Sequence, residues 1–357
     1  MDAKELLKDL VAINTIADNN NHQIMDYIEG VLTAKDFRVE RIANPRTDKQ
    51  ILIGTFGEDP AVGFLGHTDT VDITEGWNTY PFDLTEKDGS LYGLGACDMK
   101  GGIAAFLSAI SSADLSSLKR GIKVFLTYDE EIMFEGIRDV LANNVDFAEH
   151  MVIAEPTDMY PSIASKGLLE YVFTFKGVTT HSSQPIEGKS SNKNAVQFLS
   201  RMMEFEQKLR EHHTNHFEIP WPTMNVGIIN GGTSINKVPD HTTIYLDFRI
   251  CDSEREYPQI RKFVDDALSD YYEASYEIIN DIPSFYSRGE LTDFLEERTG
   301  KKSKAFSGIT EASFFEGDRV ILGPGPMTAH EANEHVSIQS LEDASRVYSE
   351  LIDRLCR

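Results

Sequence analysis

Val62-Gly63-Phe64-Leu65-Gly66-His67-Thr68-Asp69-Thr70 is the stretch on which the fold turns. Its first half is an uncharged apolar run, the pattern of a short strand buried on both faces. Its second half is polar, and His67 and Asp69, two residues apart, project from one face of the strand end. Similar short apolar runs occur at residues 51–53, 123–126, 151–153 and 319–322. Between the runs at 62–65 and 123–126, Ile103, Phe106, Leu107 and Ile110 recur at helical spacing. Leu6, Leu10 and Ile13, then Ile24, Ile28 and Val31, predict one or two amphipathic helices at the start, and Leu341, Val347, Leu351 and Leu355 a helix at the end. Strands alternating with helices predict an α/β layered domain.

From about residue 166 the period changes. Tyr171, Phe173 and Phe175 alternate, as do Ile244, Leu246, Phe248 and Ile250, which is the two-residue repeat of half-exposed strands. Helices are expected near 193–211 and 255–271, and further strands near 223–229 and 274–280. The order strand-helix-strand-strand-helix-strand is that of a split, ferredoxin-like α+β module. The expectation is therefore an α/β catalytic domain in two pieces, 1–165 and 282–357, interrupted by an inserted domain at 166–281. A chain of 357 residues favours two domains over one.

Composition excludes several classes. With 41% hydrophobic and 26% charged residues, the chain reads as an ordinary globular protein. It has no run of ~18 apolar residues to cross a membrane. The start, Met1-Asp2-Ala3-Lys4-Glu5-Leu6-Leu7, lacks the apolar core and cleavage site of a secretory signal, so a cytoplasmic location is expected. Cys97, Cys251 and Cys356 lie far apart and in odd number, which fits a reduced compartment rather than a disulfide framework. Fifty-eight acidic residues against 34 basic give a net charge of −24, which repels phosphate backbones and disfavours nucleic acid. An anionic substrate would need local cations to receive it.

The chemistry sits where apolar runs end. After Gly66-His67-Thr68-Asp69-Thr70 comes Gly93-Leu94-Gly95-Ala96-Cys97-Asp98-Met99-Lys100-Gly101-Gly102, just ahead of the helix carrying Ile103. Thr127-Tyr128-Asp129-Glu130-Glu131 leaves the run at 123–126, and Ala154-Glu155-Pro156-Thr157 leaves that at 151–153. Ala329-His330-Glu331-Ala332-Asn333-Glu334 follows the last run and its turn, Gly323-Pro324-Gly325-Pro326. Each alone has a plain structural explanation: a surface loop, a helix cap, a solvated acidic turn. Five together at or just beyond strand ends point to a ligand site, because open α/β sheets bind ligands at their carboxyl edge. His, Asp, Glu, Glu and His converging there make a set for two zinc ions, one carboxylate bridging and one His and one carboxylate for each ion.

The ordered motifs His-x-Asp, Gly-x-Gly-x-x-Asp-Met-Lys-Gly-Gly, Asp-Glu-Glu, Glu-Pro-Thr and Ala-His resemble the co-catalytic zinc deacylases and exopeptidases. That family includes acetylornithine deacetylase, succinyl-diaminopimelate desuccinylase, aminoacylase and the glutamate-releasing carboxypeptidases, and the match covers essentially the whole chain. The resemblance implies a zinc-exopeptidase-like α/β/α catalytic domain with an inserted ferredoxin-like lid and dimerisation domain. It implies His67, Asp98, Glu131, Glu155 and His330 as ligands of two Zn2+ per subunit, with Asp98 bridging; Co2+ or Mn2+ would satisfy similar ligands. Asp69 would orient His67, and Glu130 would be the general base. His181, in Thr180-His181-Ser182-Ser183-Gln184-Pro185, would stabilise the tetrahedral intermediate, often from the partner subunit of a homodimer formed through the lid. Asn236 and Arg249 would hold the substrate. The implied reaction is hydrolysis of the amide bond of a small N-acyl amino acid, foremost acetylornithine-like deacetylation in amino-acid (arginine) biosynthesis. Desuccinylation and dipeptidase or carboxypeptidase activity are the alternatives within the family. An inactive metal-binding scaffold is the alternative outside it, and the intact Glu130 argues against that. Two departures bear on substrate identity: Ile132-Met133-Phe134-Glu135-Gly136 follows Glu131 where small residues are more usual, and Glu311 stands where the family commonly has Asp.

Overall fold

The computed structural model describes residues 1–17 and 19–357. They form two compact units: Met1–Ile163 with Ser287–Lys304 and Thr310–Arg357, and Ala164–Tyr286 with Ala305–Ile309.

In the first unit six strands lie in the order Arg38–Asn44, Lys49–Phe56, Gly121–Thr127, Pro60–His67, His150–Ile153, Asp318–Ile321. The first two junctions are antiparallel and the last three parallel. The parallel strands are buried along nearly their whole length, which is why they read as unbroken apolar runs. Helices Lys100–Ser112 and Ile338–Cys356 pack on Pro60–His67, where the Phe64 ring stacks on Phe106 at 5.5 Å and meets the edge of Tyr348 at 5.3 Å. Burial of one such side chain contributes about 1.5–3 kcal/mol.

The strand Arg38–Asn44 was not legible in the sequence. It is an edge strand with a largely exposed pattern, so its residues, Arg-Val-Glu-Arg-Ile-Ala-Asn, carry no apolar run. Helices Glu135–Ala142 and Glu290–Thr299 and a small sheet of Thr85–Lys87, Ser90–Tyr92 and His335–Ser337 are also additions to the reading.

The second unit is a four-stranded antiparallel sheet in the order Thr223–Gly231, His241–Ile250, Gly167–Lys176, Ala274–Ile282. Helices Ser191–Leu209 and Ser253–Leu268 pack on one face of it, their contact marked by Phe205 and Phe263 stacked at 4.0 Å. Numbered along the chain the strands lie 2-3-1-4, the arrangement of a ferredoxin-like fold. Tyr171, Phe173 and Phe175 all face the helices, as their alternation requires. No helix among the described residues is long and apolar enough to cross a membrane.

Candidate metal centre

Three neighbouring parallel strands of the first unit release their chains at one edge. His67 ends Pro60–His67 and pairs in register with Thr127, while Leu65 pairs with Ile153. The chain beyond Thr127 carries Glu130 and Glu131, and the chain beyond Ile153 carries Glu155. Asp98 arrives from the glycine-rich loop before helix Lys100–Ser112. Gly102 lets that helix start against the strand end: a Cβ there would lie 2.0 Å from the Ala154 carbonyl oxygen. His330 comes from the loop ahead of His335–Ser337.

These residues meet. His67 Nε2 lies 3.1 Å from Asp98 Oδ1 and 3.9 Å from Glu155 Oε2. His330 Nε2 lies 2.9 Å from Glu131 Oε2 and 3.7 Å from Asp98 Oδ2. The two oxygens of Asp98 thus face two different imidazoles. His67, Glu130 and Glu155 offer ligand atoms within 4.8 Å of one another, and so do His67, Asp98 and Glu131. His67 and Glu155 are buried, whereas the His330 side chain is 55% exposed.

Electrostatics reinforce the geometry. Burial, with Glu155 beside it, holds the Glu130 carboxyl well above its usual range. Burial and Asp98 do the same to Glu155, and burial raises Glu131 against the lowering effect of His330. Asp98 stays below its usual range: burial opposes ionisation, but the His67 hydrogen bond and charge outweigh it. His67 is desolvated, yet the Asp69 and Asp98 carboxylates raise it, and Glu131 raises His330 to about 9. Fields that hold a proton on each imidazole would equally hold a metal cation in its place. Among the described residues, the cationic partners of Asp98, Glu131 and Glu155 are these two histidines and no Lys or Arg. Four carboxylates around two imidazoles are a hard-oxygen and nitrogen donor set that fits divalent cations.

The Asp69 carboxylate lies 3.6 Å from His67 Nδ1, and the nearer acceptor for that nitrogen is Asp69's own carbonyl at 3.1 Å. Asp69 Oδ1 and Oδ2 instead accept the amides of Glu130 at 3.4 Å and Glu131 at 3.2 Å, fixing the acidic turn. A cleft of about 420 Å³ opens beside Glu131 and His330, lined also by Ile16, Thr70, Asp72 and Ile132.

The remaining predicted residues lie in the second unit. Ser182 N–H donates to Asn236 O at 3.0 Å and Val238 N–H to Thr180 O at 2.8 Å, so His181 and Asn236 sit side by side. His181 Nδ1 is 2.8 Å from Ser183 Oγ. Arg249 is not with them. His181 bridges to Lys237, just ahead of the His241 end of the strand His241–Ile250, whereas Arg249 lies eight positions further along that strand, roughly 26 Å from His241 at ~3.3 Å per residue, and holds Asp247 at 3.0 Å.

Two buried acids have roles that the sequence reading did not assign. Glu311 is wholly buried, accepts from Thr127 Oγ1 at 3.0 Å and is raised to about 7 by burial. Glu334 accepts three amides of the glycine-rich loop and is raised to about 7, mainly by burial. Lys49, also buried, forms an ion pair with Asp129 and bonds to the Ala17 carbonyl. The only sequence signal for Glu334 is indirect: a tight glycine-rich loop leaves amides unpaired and needs an acceptor.

The sequence profile of peptidase family M20/M25/M40 matches residues 63–354. The chain belongs to that family. Within it, the chain is 31% identical to the acetylornithine deacetylase of Photorhabdus laumondii over 373 residues, covering 99% of this chain and 97% of the relative. This M20 chain also superposes on solved structures. A Staphylococcus aureus tripeptidase matches with TM-score 0.78 at 21% identity, covering 99% of this chain and 98% of that one. A Bacillus subtilis dinuclear metal-binding peptidase of the same family matches with TM-score 0.69 at 18% identity, covering 99% and 97%. Both structural likenesses speak to the shared α/β fold of this M20 hydrolase.

Proposed function

We propose that this M20 hydrolase removes the acyl group from a small N-acyl amino acid, foremost N-acetylornithine, at a site holding two zinc ions. The observation that carries the reading is the Asp98 carboxylate, one oxygen toward His67 and the other toward His330, with buried Glu130 alongside. His67, Asp98 and Glu155 would hold one ion, and Asp98, Glu131 and His330 the other. When bound, such a pair polarises an amide carbonyl and lowers the pKa of a water.

Glu130 is the base in this reading. Its neighbours Glu131 and Glu155 belong to the two ligand sets, so it is the carboxylate left over, and burial makes it a willing proton acceptor. It takes the water's proton and returns it to the leaving amine. Asp69, through the amides of Glu130 and Glu131, keeps that carboxylate aimed.

Among the described residues, the cleft beside Glu131 and His330 is lined by Asp72 and by no Lys or Arg, which suits a substrate with a cationic side chain such as ornithine's. The substrate's α-carboxylate would go to Arg249 in fork geometry, Asn236 would help hold the substrate, and His181 would support the oxyanion. A small acyl amino acid cannot span the distance between Arg249 and the His181–Asn236 pair. That separation supports a homodimer in which the two groups act on one substrate from different copies.

Release of acetate, succinate and free amino acids from N-acetylornithine, N-succinyl diamino acids and dipeptides, with and without chelator, tests the reading. Acetate release should dominate, vanish on chelation and return with Zn2+. Metal-loaded protein that cuts dipeptides and leaves N-acetylornithine intact would refute the substrate assignment.

A further inference from the structure

Four backbone amides of one glycine-rich loop converge on a single residue from the far end of the chain. Glu334 Oε1 accepts the amides of Cys97 at 2.8 Å and Asp98 at 2.9 Å, Oε2 accepts the amide of Gly95 at 2.9 Å, and its own carbonyl accepts the amide of Gly93 at 3.1 Å. The residue is 2% exposed. The loop is built for this contact. Gly95 takes φ +76°, and a Cβ there would lie 2.7 Å from Thr70 Cγ2, so the chain turns where only glycine fits. The loop that brings Glu334 is itself tied down, with Asn333 Oδ1 accepting the Asn78 amide at 2.7 Å.

The consequence lies at the two ends of the contact. Asp98, whose amide Glu334 grips, is the carboxylate whose oxygens face both histidines, and His330 stands four residues before Glu334 on the same loop. One buried side chain therefore fixes the backbone under the bridging carboxylate and the loop of the more exposed histidine. We propose that Glu334 is a positioning residue of the metal centre, setting the orientation of Asp98 relative to His330. The inference rests on the two-metal reading above. A carboxylate suits the task because both its oxygens accept. An amide in its place accepts through one atom only, so at least one N–H would face a donor in a buried site.

The test compares the wild-type protein with Glu334→Gln, Glu334→Asp and the exposed-loop control Glu331→Gln. Each is stripped of metal and titrated with Zn2+ by calorimetry and with Co2+ by visible absorption, then assayed for kcat and KM. Wild type and Glu331→Gln should each take up two ions with the same spectrum. Glu334→Gln should bind the second ion about 10–100-fold more weakly and show an altered Co2+ spectrum. Its kcat should fall more than its KM rises. Glu334→Asp keeps the charge but is one methylene shorter, and should fall between the two; it also serves if Glu334→Gln does not fold. A variant that only loses thermal stability, with unchanged second-ion affinity and spectrum, would reduce Glu334 to a helix-start cap and overturn the proposal. If the wild-type protein itself binds no pair of ions, the two-metal reading fails first and the proposal with it.

Discussion

At the scale of single residues, the centre divides its acids by what surrounds them. Asp98 faces two imidazoles and stays ionised, whereas Glu130 is buried against other carboxylates and is pushed toward holding a proton. Replacing Glu130 by Ala should therefore cut kcat by about 10²–10⁴-fold, the usual share of a general base, while elemental analysis still finds two metals per chain. Retained activity would remove Glu130 from the base role. His67→Ala and Glu155→Ala should behave differently, losing metal along with activity, because His67 lies within reach of both Asp98 and Glu155. Full metal occupancy in either variant would count against its place in the ligand set. His67, Glu130, Glu131, Glu155 and His330 stood out as candidates in the sequence because each sits at or a short distance beyond an apolar run, and Asp98 because it lies in a glycine-rich loop just ahead of a helix. Glu311 and Glu334 could not be assigned roles, because what distinguishes them is complete burial and their hydrogen-bond partners, and neither leaves a trace in local spacing.

At the scale of elements, the site depends on how closely helix Lys100–Ser112 seats on the ends of the strands. Gly102 has no room for a methyl group, the Ala154 carbonyl lying 2.0 Å from where its Cβ would stand. Gly102→Ala should destabilise the fold by about 1–3 kcal/mol, as overpacking does. It should also weaken metal binding, because the displaced backbone carries Glu155 on one side and Asp98 on the other. Chemical denaturation and Zn2+ titration of the same variant check both effects; full stability with full affinity would show that the interface gives way cheaply. Five strands of the first unit, Lys49–Phe56, Pro60–His67, Gly121–Thr127, His150–Ile153 and Asp318–Ile321, and the ferredoxin-like order of the second unit were readable because burial on two faces gives runs and burial on one gives alternation. Arg38–Asn44 escaped because an edge strand buries little, and the distance between Arg249 and His181 escaped because it depends on strand direction rather than on sequence spacing.

At the scale of the whole molecule, a protein of net charge −24 that buries Glu130, Glu155, Glu311 and Glu334 has set its stability against rising pH unless cations are bound. A carboxyl whose folded-state pKa is raised contributes stability below about 4.5, its unfolded value, and loses that contribution as pH climbs through the folded value. Glu311 and Glu334 pass through theirs at about 7, and Glu130, Glu131 and Glu155 are shifted the same way. The histidines add to the trend: His330, raised to about 9, loses its contribution as pH rises through that value. Asp98 alone among these acids runs the other way. Chelated protein should therefore melt at steadily lower temperature between pH 5.5 and 8.5. Metal-loaded protein should show a flatter profile, since cations take over the protons' role, and the gap should be widest at the alkaline end. Binding at 1,000 times Kd adds about 4 kcal/mol, enough to move Tm by several degrees. Melting curves of chelated and Zn2+-loaded protein across that range decide the matter. Surface repulsion alone would lower both curves in parallel, so parallel slopes would mean that the buried carboxylates and imidazoles do not meet around cations.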